Sequence, residues 1–312
     1  MLKRSNKDHI KETLLSQNIP LVMEQMQGVH SVSLGIWVKT GSRYEPEDLS
    51  GISHFLEHCL FKGTTKRSYR DIAIEIDTLG GELNAFTSKE ITSYYVRVPD
   101  AYLSEGIDIL MDVFLNPVFP EEEIEKEKLV VLEEIKMAED TPDDLVHDLF
   151  SETIYKGNGL GRRILGSPDT VMSFTRQSLI DYKTHYYGMP NVVVSCAGDF
   201  DEALLKDKLQ EYLNGLNSAN TTNTVTPQFN YEVSVIEKDL KEVHIVCGTE
   251  GIPQTSEDRY AAMLLNTIIG AGVSSRLFQK IREEKALAYT VYSFLSSYKD
   301  TGVFGIYLGP SK

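Results

Sequence analysis

Residues 51–63 read GISHFLEHCLFKG, and the interpretation of the whole chain depends on this stretch. Its core is apolar and has no internal Gly or Pro, so it predicts a helix with Asp48 or Ser50 as its N-cap. Residues four positions apart lie on one face of a helix, and the side chains of His54 and His58 therefore project together, one turn apart. Two neutral imidazoles in this arrangement are typical ligands of a single metal ion.

Glu57 lies at the edge of the same face, close enough to hold a water molecule beside a metal without binding the metal itself. Two imidazoles and one oxygen ligand leave the fourth position of zinc open, as in catalytic sites. Zinc lowers the pKa of water towards about 7, and a carboxylate then serves as general base in peptide hydrolysis. The order H-x-x-E-H is that of the inverted zinc-protease motif. A chain of this composition gives about 0.02 chance matches. The alternative is two partly buried histidines on an amphipathic helix, held by local hydrogen bonds.

The composition narrows the class of protein. The chain has 312 residues, enough for one large or two ordinary domains, and a formal net charge of −15. This charge argues against nucleic acid as a partner and fits a protein that accepts basic peptides. A solvated acidic surface without a binding role explains the charge equally well.

Cysteine usage and hydropathy bear on location. Cys59, Cys196 and Cys247 stand in apolar runs without C-x-x-C spacing, which predicts reduced core residues of a cytoplasmic protein. The first fifteen residues carry charge but no apolar run, so no secretory signal is predicted. No run of 18 apolar residues exists, so no membrane span is predicted and no membrane partner is expected.

Periodicity and turn residues outline the remaining elements. Strands are predicted at 19–24, 29–39, on both sides of a turn at 87–90, at 191–198, 232–238 and 242–251. Helices are predicted at 69–79, 101–115, 120–139, after Thr141-Pro142, and at 178–187, 201–216 and 256–269. A Gly-rich turn, a helix and a strand are predicted over 270–294, and a further strand over 302–309. Small polar residues with one Pro predict a linker over residues 217–230, between an N-terminal domain (1–216) and the start of a second domain (231–312). The second domain begins with a weak repeat of the first.

The long acidic helix predicted at 120–139 is where a third metal ligand is expected. Glu127 and Glu134 are seven residues apart, so they share a face with the apolar Val130 and Val131. A carboxylate on an inward face needs a metal or a cation as partner. Glu133 competes with Glu134 for this role, and the pattern alone also allows both to be solvated residues of a charged helix.

These features together resemble the M16 family of zinc peptidases, which includes insulinase, pitrilysin and mitochondrial processing peptidase. The similarity is greatest to its shorter bacterial members and extends from residue 10 to residue 309. It implies that Glu134, 76 residues after His58, is the third Zn²⁺ ligand beside His54 and His58. It also implies that Glu127 supports the ligands during catalysis.

The resemblance also implies substrate-binding residues. In the segment GGELNAFTSKEITSYY, Asn84 and Ala85 would contact the backbone of a substrate that adds as a strand to an exposed sheet edge. Arg282 and Tyr289, seven residues apart, would bind a substrate carbonyl and stabilise the oxyanion during catalysis. Without the resemblance, Asn84 is a turn residue, Arg282 a surface residue and Tyr289 a half-buried strand residue.

The fold implied is α+β, with two homologous α/β-sandwich domains and antiparallel-rich sheets of the LuxS/mitochondrial-processing-peptidase type. The chain ends at GIYLGPSK, so the second domain is expected to be incomplete. Exposed strand edges and apolar surface would then favour self-association or a homodimer. The function implied is zinc-dependent endopeptidase action on peptides or unfolded protein segments, bound as an extended strand in an interdomain cleft, with Glu57 activating water.

Two other interpretations remain open at this stage. One is a non-catalytic subunit of the same fold that binds peptides or a partner chain, although such members typically lose the zinc motif. The other is an unrelated metal-dependent hydrolase of small molecules, which would have no use for Asn84, Arg282 and Tyr289 at these spacings.

Overall fold

A computed structural model describes residues 10–222 and 225–310 of the chain. These residues form two compact units, one comprising residues 10–133 and 164–222 and the other residues 134–163 and 225–310. The predicted linker lies partly outside the described residues, at 223 and 224, and the predicted domain boundaries stay a prediction. The mixture of sheets and helices confirms the predicted α+β class.

The structure has nine strands and nine α-helices among the residues that it describes. The strands are β1 (Ile10–Leu14), β2 (Pro20–Gln25), β3 (Val32–Val38), β4 (Glu82–Thr87), β5 (Thr92–Val98), β6 (Val192–Gly198), β7 (Ile245–Glu250), β8 (Thr290–Ser297) and β9 (Gly302–Gly309). The helices are α1 (Ile52–Leu60), α2 (Tyr69–Thr78), α3 (Leu103–Leu115), α4 (Glu121–Asp140), α5 (Pro142–Ile154), α6 (Pro168–Ser173), α7 (Arg176–Tyr186), α8 (Glu202–Leu213) and α9 (Arg259–Ile269). A seven-residue π-helix spans Phe278–Glu284.

The first unit is built on a six-stranded sheet in the order β1-β2-β6-β3-β5-β4. All neighbouring strands are antiparallel except β2 and β6, which run parallel. The α1 helix packs against β4 and β5, and α3 packs against β5. Alternate residues of β6 are buried, as expected for a strand with one face on a core. The sheet thus places α1 beside β4, which is one of its two edge strands.

The second unit contains the three-stranded antiparallel sheet β7-β9-β8. Its core joins Ile154, Tyr155 and Leu160 to Val303 of β9. Many large apolar side chains of this unit are exposed, among them Val233 at 92% and others on α9 (Tyr260, Met263, Leu264, Leu265, Ile268). This exposed apolar surface is consistent with the predicted self-association, which stays a prediction. Among the described residues, no helix is both long enough and apolar enough to cross a lipid bilayer.

Three predictions about local structure were wrong or incomplete. Residues 232–238 alternate like a strand, but no strand of the described residues pairs with them, and a strand needs a hydrogen-bonded partner. Cys59 and Cys196 are buried as predicted, whereas Cys247 is exposed because it lies on β7, at the edge of the small sheet. The strand β1 was not predicted, because its sequence, IKETL, has no clear apolar alternation and is largely exposed.

The packing of α7 against α3 buries most of a lysine side chain. The ammonium group of Lys183 donates a hydrogen bond to the carbonyl oxygen of Leu115 at 3.3 Å and lies 5.9 Å from the ring centre of Phe114. Burial lowers the pKa of Lys183 from its ordinary value of 10.5 to about 8. The folded chain therefore holds this proton less tightly than the unfolded chain does.

A pH dependence of stability follows from this lysine. Between pH 8 and 10.5 the unfolded state binds more protons than the folded state, so stability must rise with pH. Relative to Lys183→Met, which removes this titration, the wild type is expected to gain about 3 kcal/mol of unfolding free energy across that window. Urea unfolding of both proteins at several pH values measures the difference. If the unfolding free energies of the two proteins change with pH in parallel, Lys183 has an ordinary pKa in the folded state.

Candidate metal centre

The helix that carries the histidines begins at Gly51, not at a side-chain cap from Asp48 or Ser50 as predicted. Gly51 has a φ of 94°, and a Cβ there would lie 2.7 Å from the carbonyl oxygen of Leu165, so only glycine fits. The carboxylate of Glu45 accepts hydrogen bonds from the backbone N–H groups of Gly51 at 2.7 Å and Ser53 at 2.8 Å. A buried carboxylate at this point accepts hydrogen bonds from backbone N–H groups that have no acceptor within the helix. Its negative charge also interacts favourably with the positive end of the helix dipole.

The two faces of α1 differ in burial as the amphipathic pattern predicts. Ile52, Phe55, Leu56, Cys59 and Leu60 are buried in the core of the first unit. His54, Glu57 and His58 lie on the other side and are each partly buried. Because the apolar face fixes the rotation of the helix, the three polar side chains are held on its opposite face.

The two histidines approach each other as ligands of one ion would. The Nε2 atoms of His54 and His58 lie 3.2 Å apart. Two nitrogen ligands at the usual Zn–N distance and tetrahedral angle lie about 3.3 Å apart. Burial, together with the charge of nearby His58, lowers the pKa of His54 from 6.5 to about 4. His54 is therefore neutral at pH 7, as a metal ligand must be.

A carboxylate from α4 completes the group. One ligand atom each from His54, His58 and Glu134 lies within 4.8 Å of the others, and all three side chains are partly buried. The competing Glu133 is exposed. Two imidazole nitrogens and one carboxylate oxygen form the His₂Glu donor set of catalytic zinc sites, which keep a fourth position open. The residues present therefore fit Zn²⁺.

Glu127 supports this group from two turns earlier on α4. Its side chain is almost completely buried, and its Oε1 atom lies 2.8 Å from Nδ1 of His58. Its Oε2 atom pairs with the ammonium group of Lys62 at 2.6 Å. Burial alone would raise the pKa of Glu127, but the hydrogen bonds from His58 and Lys62 outweigh burial and lower it. An ionised Glu127 accepts a hydrogen bond from the Nδ1–H group of His58, which makes Nε2 the unprotonated nitrogen that can coordinate a metal.

Replacing Glu127 tests this supporting role. Glu127→Gln keeps the shape of the side chain but removes its charge, so the imidazole of His58 is less basic and less firmly oriented. We expect zinc affinity to fall about 10-fold, at the lower end of such outer-shell effects. Competition with a chromophoric chelator measures the change. Glu125→Gln, on the exposed side of the same helix, is the control, and equal affinities of the two variants would contradict the role.

Glu57 faces the edge strand of the sheet. The hydroxyl group of Thr87, at the end of β4, donates a hydrogen bond to Oε2 of Glu57. On the same strand, Asn84 is exposed and its Oδ1 accepts a hydrogen bond from the backbone N–H of Ala85 at 2.8 Å. In the described part of the chain β4 pairs only with β5, so its other edge offers backbone groups to an added strand. Substrate contacts of Asn84 and Ala85 stay a prediction that this edge position supports.

Arg282 and Tyr289 lie together in the second unit. The guanidinium carbon of Arg282 is 4.5 Å from the ring centre of Tyr289 and 4.7 Å from that of Phe278. The side chain of Tyr289 is 75% exposed, directly before β8. Their contact with each other is a cation–π interaction. Their predicted roles in carbonyl binding and oxyanion stabilisation remain predictions.

The sequence analysis did not identify three residues that contact the candidate site or its helix. Glu45 caps α1, Lys62 pairs with Glu127, and Thr87 contacts Glu57. The sequence spacing gives a signal for Lys62, because it follows His58 by four residues, just beyond the end of α1. The strand alternation gives a weaker signal for Thr87, which shares a face of β4 with Ala85.

Family models match almost the whole chain. The model described as insulinase (peptidase family M16) matches residues 21–168, and the model described as the peptidase M16 inactive domain matches residues 173–312. The N-terminal match contains the two histidines and the carboxylates of α4.

Curated relatives extend the similarity. An uncharacterized zinc protease of Bacillus subtilis, YmxG, is 43% identical over 300 residues, covering 96% of this chain and 73% of that protein. A Streptomyces coelicolor protein, also named an uncharacterized zinc protease, is 40% identical over 314 residues, covering 96% of this chain and 67% of that protein. Identity at this level over most of both chains implies a shared fold.

Solved structures show the same fold. A protease from Helicobacter pylori superposes with a TM-score of 0.88 at 22% identity, covering 97% of this chain and 75% of that one. A Pseudomonas fluorescens structure, titled as a peptidase M16 inactive domain, gives a TM-score of 0.90 at 19% identity, covering 97% and 74% of the two chains. These matches confirm the predicted fold class.

Proposed function

The chain belongs to the M16 (insulinase) family of peptidases, and we propose that it is a zinc-dependent endopeptidase that cleaves peptides or unfolded protein segments. The observation that carries the proposal is the group His54, His58 and Glu134, whose ligand atoms lie within 4.8 Å of one another. Glu57 lies on the same helix as the two histidines. The predicted cofactor, Zn²⁺, agrees with the names of the relatives, which are zinc proteases.

His54, His58 and Glu134 would hold the ion, and this chain's other residues prepare the reaction around it. When bound, zinc polarises the scissile carbonyl group and lowers the pKa of water. Glu57 accepts the proton of the attacking water and then delivers it to the leaving nitrogen as general acid. Glu127 keeps the His58 ring in the tautomer whose Nε2 is unprotonated.

The edge strand β4 supports the proposed substrate class. Its outer edge leads from Asn84 to Thr87, which contacts Glu57, so an added strand would run towards the general base. Only an extended chain can pair with such an edge, which favours flexible peptides and unfolded segments over folded proteins. Cleavage preference for basic peptides, suggested by the net charge of −15, and a cytoplasmic location stay predictions.

A quenched fluorescent peptide and a chelator test the proposal. Cleavage should disappear when the chelator removes the metal and return when zinc is added back. An unfolded protein should be cleaved and the same protein, folded, should not. Cleavage that persists in the metal-free chain would contradict zinc-dependent action. Zinc binding without any cleavage would instead favour a non-catalytic peptide-binding or partner subunit of the same fold.

A further inference from the structure

The contact between Thr87 and Glu57 joins two elements that are thirty residues apart in the chain. The Thr87 hydroxyl donates to Oε2 of Glu57, and both side chains are partly buried. A hydroxyl group that donates to a carboxylate makes a charge-assisted hydrogen bond, one of the stronger kinds. The bond engages one carboxylate oxygen of Glu57 and so fixes the direction of the other.

The position of Thr87 is itself well determined. It is the last residue of β4 and pairs with Thr92 of β5, whose hydroxyl donates to the carbonyl oxygen of Thr40 at 3.0 Å. The β-branched side chain of threonine has few χ1 rotamers, so the strand backbone largely sets the direction of the hydroxyl. Glu57 has three rotatable side-chain bonds and sits on α1, which packs against β4. The well-fixed hydroxyl group of Thr87 therefore orients the flexible side chain of Glu57.

We propose that Thr87 is a positioning residue, which holds the Glu57 carboxylate in the orientation that receives the proton of the attacking water. The proposal rests on the proposed function, because it takes Glu57 to be the general base. Thr87 need not touch the substrate. It lies on the strand to which the substrate is proposed to add, so the same strand would align the peptide and the base. Misplacement of a reacting group by about 1 Å costs about 100-fold in rate.

Two substitutions at this position separate the hydroxyl from the shape of the side chain. In the zinc-loaded protein, Thr87→Val keeps the branched shape without the hydroxyl and is expected to lower kcat about 10- to 100-fold. KM and zinc content should stay at wild-type values, because neither the strand edge nor a metal ligand is changed. Thr87→Ser keeps the hydroxyl and should recover most of the rate. Thr249→Val, at an exposed position of β7, is the matched control.

Crystal structures of the zinc-loaded wild type and of Thr87→Val give a readout that does not depend on activity. We expect the Glu57 carboxylate to contact Thr87 in the wild type and to turn away, or lose a single orientation, in the variant. Loss of zinc or of the folded state in Thr87→Val would be detected by metal analysis and thermal unfolding, and the zinc-loaded wild-type crystal then carries the test.

The outcomes separate this proposal from the proposed function. If the wild type cleaves and Thr87→Val has the same kcat, or if Thr87→Ser is as impaired as Thr87→Val, the positioning role is wrong while the peptidase stands. A zinc-loaded wild-type crystal in which Glu57 does not contact Thr87 also overturns it. If the zinc-loaded wild type cleaves no peptide, the peptidase proposal itself fails, and the positioning role fails with it.

Discussion

Glu57→Gln is expected to keep about one zinc ion per chain and to lower kcat by about 10²- to 10⁴-fold. The amide has the size of the carboxylate but cannot take a proton from water. Because the proposed metal ligands are His54, His58 and Glu134, the substitution removes none of them. Metal analysis and a quenched-peptide assay on the same preparation measure both quantities. KM should change little, since the edge of β4 is intact.

The control for this substitution is an exposed glutamate far from the histidines. Glu105→Gln, in the first turn of α3, removes the same charge and should leave cleavage at the wild-type rate. If Glu57→Gln and Glu105→Gln cleave equally well, Glu57 is not the general base. If Glu57→Gln loses zinc as well as activity, Glu57 acts as a ligand and the roles of the carboxylates must be reassigned.

Glu134→Ala is expected to weaken zinc binding strongly. Substitution of a residue that only supports the ligands typically lowers metal affinity about 10- to 100-fold, and loss of a ligand should lower it more. The substitution removes the only oxygen from the proposed group of ligands and leaves two imidazoles. Peptide cleavage should fall with zinc occupancy and return in part at high zinc concentration. Chelator competition gives the affinity, and cleavage at several zinc concentrations shows whether the lost rate follows occupancy.

The neighbouring Glu133 provides the matched control. It precedes Glu134 on α4 but is exposed, so Glu133→Ala should bind zinc like the wild type. Equal losses in both variants would indicate a general effect of charge on this acidic helix rather than coordination. A loss in Glu133→Ala alone would show that the ligand was assigned to the wrong residue.

Local patterns in the sequence were sufficient to predict α1 and the side of it that carries the histidines. The spacing of His54 and His58 and the apolar positions between them follow the helical repeat, which is a property of neighbouring residues. The same repeat narrowed the third ligand on α4 to two adjacent glutamates. It could not decide between them, because adjacent residues differ by only about 100° around the helix. The structure distinguishes them by burial.

Features that depend on contacts between distant segments could not be predicted in the same way. Glu45 reaches the start of α1 across a loop, and Thr87 reaches Glu57 only because β4 packs on α1. Residues 232–238 show the opposite error, since their alternation is suited to a strand but pairing requires a neighbour that local sequence does not specify. Propensity describes what a segment can form, and tertiary packing decides whether it does so.

Metal analysis of the purified chain, beside His58→Ala, tests the central claim most directly. His58 supplies an imidazole to the group of ligands and also contacts Glu127, so its removal should abolish the site without changing the buried face of α1. We expect about one zinc per wild-type chain and almost none in His58→Ala. A wild-type chain that binds no zinc at neutral pH, even with zinc added, would contradict the claim that these residues form a metal centre.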